Sequence, residues 1–104
     1  MEFPSSLDNV LEMALRYNAT SVSLEYDSSG DLEVTYFAGH TGLGVAVSDS
    51  ADKRRIISQL VKRARLGRKE SATFRVAHDG GVRVVRVSRR EHFGEWAFDL
   101  RFGA

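Results

Sequence analysis

Near its C-terminal end the chain alternates strictly, with Trp96, Phe98, Leu100 and Phe102 on one side of an extended segment and Glu95, Ala97, Asp99 and Arg101 on the other. Such a segment has one dry face and one wet face, so it needs strands beside it and an apolar layer against one face only. Five other runs carry the same two-residue period. Val22, Leu24 and Tyr26 alternate with Ser21, Ser23 and Glu25; Leu32, Val34 and Tyr36 follow across the turn Asp27-Ser28-Ser29-Gly30. Leu43, Val45 and Val47 follow Gly39-His40-Thr41-Gly42, with small residues between them. Strands are also expected over about Ala72 to His78 and Val82 to Ser88, joined at Asp79-Gly80-Gly81, and over Glu95 to Phe102.

Two stretches carry the helical period instead. Leu7, Val10, Leu11, Ala14 and Leu15 repeat at three and four, behind a cap at Ser5 or Ser6 and ahead of a stop near Tyr17-Asn18. A second helix is expected from about Ala51 to Leu66, capped by Ser48, Asp49 or Ser50 and stopped by Gly67. Its apolar stripe is Ile56, Ile57, Leu60, Val61 and Ala64. The order is α-β-β-β-α-β-β-β, an α+β single domain over residues 7–102 with a short N-terminal extension, 1–6, and the end 103–104. Short hairpin connections imply a mostly antiparallel sheet with two helices on one face.

Charge divides the chain in two. Residues 1–52 hold one basic side chain against nine acids, and residues 53–104 hold fourteen against five, although the net charge is only +1. The acidic part covers the first helix and hairpin; the basic part covers the second helix and the later strands. If the fold keeps them apart, the two surfaces suit head-to-tail contact with a like molecule or a ring neighbour.

No apolar run approaches the ~20 residues of a membrane span, and Met1-Glu2-Phe3-Pro4 lacks the pattern of a secretory signal, so a soluble, cytoplasmic protein is expected. The chain has no cysteine, which removes disulfides, thiolate nucleophiles and Cys-based zinc sites. His40, His78 and His92 do not form a metal spacing and read as solvated turn and loop residues. There is no G-x-S-x-G nucleophile elbow and no G-x-x-x-x-G-K-[ST] phosphate loop, and Asp49 and Asp52 read as helix-capping carboxylates. No catalytic residues, metal or cofactor of its own are expected.

The cations are more informative. Arg54, Arg55, Lys62, Arg65, Arg68 and Lys69 lie on or just after the second helix, where solvent alone satisfies them or an anionic partner does. Arg75, Arg83, Arg86 and Arg101 are interleaved with apolar strand residues, so some leave a sheet face at fixed positions suited to phosphate or carboxylate. A small nucleic-acid-binding module using the basic helix 53–69 is one reading of this pattern. Trp96, Phe98 and Phe102 read as core, which leaves few aromatics for base stacking.

Over Leu7 to Phe102 the chain also resembles the PAS-like N-terminal domain of type II secretion and type IV pilus ATPases. Leu11-Glu12-Met13-Ala14-Leu15 through Ala19-Thr20-Ser21-Val22-Ser23-Leu24-Glu25 is similar to that family's helix and "A-S-D-I-H-I-E" strand. Leu32 to Gly39 is similar to "V-R-Y-R-I-D-G", and Ile56 to Leu66 to "I-I-S-R-I-K-x-x-A-x-L". Val85-Arg86-Val87-Ser88, Gly94-Glu95 and Leu100-Arg101-Phe102 are similar to "R-V-S", "G-E" and "L-R-L". The resemblance implies a non-catalytic assembly or regulatory domain that contacts the motor domain of a neighbour, or a copy of itself, in a ring. It also implies ATP and Mg at that interface, with Arg75 and Arg86 approaching phosphate. Glu70-Ser71-Ala72-Thr73 stands where the family has "P-Q-D-G", and Ser21 and Ser23 stand where it has Asp and His.

Overall fold

A computed structural model describes residues 3–92 and 94–103, the side chain of His92 excepted. Helix α1 spans Leu7–Arg16, and the Ser6 hydroxyl caps it by accepting from the Asn9 amide. Strands β1 (Ser21–Tyr26), β2 (Leu32–Ala38) and β3 (Thr41–Val47) follow, then helix α2 (Ser50–Ala64) and strands β4 (Ser71–His78), β5 (Gly81–His92) and β6 (Glu95–Phe102). The Asp49 carboxylate caps α2 through the Asp52 amide, 2.9 Å away.

The six strands form one antiparallel sheet in the order β3-β2-β1-β6-β5-β4. The last strand therefore closes on the first, at a seam that pairs Val22 with Leu100 and Leu24 with Phe98. Both helices lie on one face. Leu7, Val10, Leu11, Ala14 and Leu15 of α1 and Ile56, Leu60 and Ala64 of α2 join Val22, Leu24, Val34, Tyr36, Val85, Val87, Phe98 and Leu100 in a single apolar core. That is the α+β architecture expected from the order of periods.

Three details differ from the sequence expectation. Helix α2 stops at Ala64, two residues early: Arg65 takes the left-handed conformation (φ 52°) as its C-cap, and Leu66, tucked back into the core, cannot continue the helix outward. The charged stretch Arg89-Arg90-Glu91-His92 is strand, not loop. Arg89 to His92 pair in register with Phe98 to Glu95, so β5 runs twelve residues into a tight turn at Gly94 (φ 82°). Trp96 shares the inward face of β6 but is 54% exposed, with the Arg89 guanidinium stacked on its ring. Phe98 is buried as expected, and Phe102 is half-buried.

No described helix is long and apolar enough to cross a membrane.

Candidate docking face on the open side of the sheet

The helices cover one face of the sheet, and strand alternation decides what the other presents. A row of small or short side chains crosses all six strands in register: Gly44, Thr35, Ser23, Asp99, Ser88 and Ser71. On one side of it runs the row Phe37, Ser21, Arg101, Arg86 and Thr73; on the other, Glu33 and Glu25 stand directly opposite each other on β2 and β1. Nothing among the described residues covers this face, and Phe37, Val82 and Val84 are among its exposed apolar side chains.

Arg75 and Arg86, singled out from the sequence, both lie here. Arg75 pairs with Val84 and Arg86 with Thr73, so the two arginines are diagonal neighbours, roughly 7–8 Å apart at the backbone. Arg101 faces Arg86 directly across β5 and β6. All three are exposed, and none of their side chains has a hydrogen bond or ion pair among the described residues. Arg83, one residue out of phase, turns to the other side and donates from Nε to the Gly103 carbonyl at 2.8 Å. A strand period of two thus separates the free arginines from one used for structure.

The opposite corner is acidic. Ser23, Thr35, Glu33, Phe37 and Glu95 help line a shallow trough of about 710 Å³ over β1 and β2. Burial and the nearby Glu95 carboxylate push the Tyr26 phenol above its usual pKa at the edge of this trough. Between the two corners stands Arg90, whose Nε donates to Asp99 Oδ2 at 3.0 Å and whose second guanidinium arm holds Glu25. Hydrogen bonds to Asp99 and Glu25 raise its pKa further. This clamp ties β5, β6 and β1 together across the seam. Glu25 lies 65 residues from Arg90 in the chain, so no local pattern announced the clamp.

The cations of α2 divide as well. Arg55 bonds the Ser5 carbonyl and Asp52, both at 3.0 Å; Arg63 bonds Asp8 and the Arg75 carbonyl; and Lys53 bonds the Gly30 carbonyl at 2.8 Å. These three fasten elements together. Arg54, Lys62, Arg65, Arg68 and Lys69 have no side-chain partner among the described residues and remain with solvent. Arg89, beyond the helix, anchors the α2–β4 connection by bonding the Gly67 and Lys69 carbonyls and stacks on Trp96 with its guanidinium carbon 4.7 Å from the ring centroid.

His40 lies exposed in the β2–β3 turn, and His78 sits 3.3 Å from Asp79 at the end of β4; the side chain of His92 lies outside the described residues. No group of three His, Cys, Asp or Glu side chains that could hold a metal occurs among the described residues. No known protein family and no curated protein matches the chain.

Proposed function

We propose that this chain is a non-catalytic docking domain that binds an anionic group of a partner protein through the open face of its sheet, with Arg75 and Arg86 as the contacting side chains. The observation that carries this reading is the pair itself: two exposed guanidiniums, diagonal neighbours on rigid strands, with no carboxylate of their own among the described residues. Arginines held in that way suit bidentate contact with phosphate or carboxylate.

The resemblance to the N-terminal domains of type II secretion and type IV pilus ATPases supplies a specific partner. In that reading the face meets the motor domain of a ring neighbour in the cytoplasm, and Arg75 and Arg86 approach the phosphates of ATP and Mg held there. The chain's own share is charge placed at two fixed points; the rest of the nucleotide site belongs to the neighbour. The test is binding of the chain to a secretion or pilus ATPase motor domain stripped of its own N-terminal domain, with a non-hydrolysable ATP analogue present. Arg75→Ala with Arg86→Ala is expected to weaken binding tenfold or more, and the chain alone is expected not to turn over ATP. Equal binding by the double variant, or none by either chain, overturns the reading.

The unpartnered cations Arg54, Lys62, Arg65, Arg68 and Lys69 favour a second reading, binding of a nucleic-acid backbone by α2 and the turn after it. Affinity for a single-stranded oligonucleotide would then fall by about 0.7 log unit per log unit of salt for each phosphate neutralised. A flat titration at low salt removes that reading.

A further inference from the structure

The open face carries two like-charge pairs of opposite sign. Arg86 and Arg101 stand directly opposite each other on β5 and β6, and Glu25 and Glu33 on β1 and β2. Like charges placed opposite across strands destabilise a sheet, so each pair is a local cost to the isolated fold. Arg90 relieves Glu25 but leaves Glu33 without an ion-pair partner among the described residues, while neither Arg86 nor Arg101 has one. Arg75 adds to the basic corner, and Glu95 adds to the acidic one.

The two corners lie diagonally across the row of Gly44, Thr35, Ser23, Asp99, Ser88 and Ser71. We propose that a second copy of this chain covers the open face, related by a two-fold axis that crosses this row obliquely, so that the arginine corner of each copy rests on the glutamate corner of the other. The low central row allows two sheets to approach to the ~10 Å spacing of a sandwich. An isologous contact needs one surface that complements itself, and opposite charges on a diagonal provide it. The face is six strands wide, about 24 Å between its outer strands, and a stable interface of roughly 800 Å² per partner would use most of it. This dimer uses the arginines of the proposed function but no motor domain, so either idea can fail without the other.

The test is the mass of the full chain by sedimentation equilibrium. A dimer is expected at about 50 mM salt that dissociates toward monomer at about 500 mM, because its charges are only partly screened at the lower concentration. Arg86→Glu with Arg101→Glu, and separately Glu33→Arg with Glu95→Arg, are each expected to raise the dissociation constant at least tenfold. All four positions are exposed, and circular dichroism checks that each variant folds. Mixing the two variants is expected to restore a dimer containing one copy of each. The inference is overturned by a chain that stays monomeric at low salt and high concentration. A dimer indifferent to both double variants, which would locate the contact elsewhere, such as the β3 edge, overturns it too. Variants that remain monomeric when mixed also overturn it.

Discussion

At the scale of single residues, the most perturbed group is Tyr36. Its side chain is 1% exposed, its hydroxyl reaches only the Met13 sulfur at 3.7 Å among the described residues, and burial drives its pKa far above the ordinary phenol value. The fold thus holds this group neutral, while the unfolded chain loses the proton near pH 10. Above that pH the unfolded state binds fewer protons than the native one, so stability falls as pH rises, by up to about 1.4 kcal/mol per pH unit. Tyr36→Phe removes this group from the titration. Its urea midpoint should match the parent within about 1 kcal/mol at neutral pH, since a sulfur acceptor contributes little, and should decline less steeply under alkaline conditions. Arg90 is the other residue with an outsized role. Its side chain is 41% exposed, so solvent weakens its two ion pairs, and Arg90→Ala should cost about 1 kcal/mol by urea denaturation. Arg90→Lys should recover little, because an ammonium cannot reproduce the two-armed contact to Asp99 and Glu25.

At the scale of elements, the end of α2 carries strain. Arg65 takes φ 52° as the C-cap, a conformation that costs an L-residue with a Cβ roughly 1–2 kcal/mol, and its side chain has no partner among the described residues. Arg65→Gly should therefore stabilise the protein by about 0.5–1 kcal/mol, seen as a higher thermal midpoint. A lower midpoint would mean that the Arg65 side chain makes a contact that matters. This helix also marks where the sequence was legible. The apolar stripe of Ile56, Leu60 and Ala64 and the alternation of the strands depend on local periods, and both appear as read. The stop at Ala64 depends on Leu66 finding a pocket in the core, which no local pattern encodes. Trp96 followed the inward phase of β6, yet its burial depends on what packs over that end of the sheet, a tertiary fact. The same holds for the face: alternation marked Arg75 and Arg86 as leaving their strands between apolar neighbours, whereas their shared side, the Arg101 contact and the Arg90 clamp depend on register and strand order.

At the scale of the whole molecule, strand order explains how a chain divided by charge becomes one domain. Each half supplies a helix and three strands, and the acidic strands β1 to β3 remain on one side of the sheet with the basic strands β4 to β6 on the other. Within the sheet the halves join where β6 pairs with β1, so the central seam links residues 21–24 to residues 98–101. Such distant pairing forms late, because its loop-closure cost precedes its reward, and neither three-stranded half has a covered sheet edge at the seam until the other arrives. The two halves should accordingly unfold as one unit. In native-state hydrogen exchange, amides of β1 and β6 that bond across the seam should open with the full free energy of unfolding, with α1 and α2 core amides close behind. Those of β3, an unprotected edge strand with glycines at 42 and 44, should open at the lowest free energy in the sheet. If β1 to β3 exchanged together at one free energy and β4 to β6 at another, the seam would be a weak joint between two independent units, and a single cooperative core would be the wrong description.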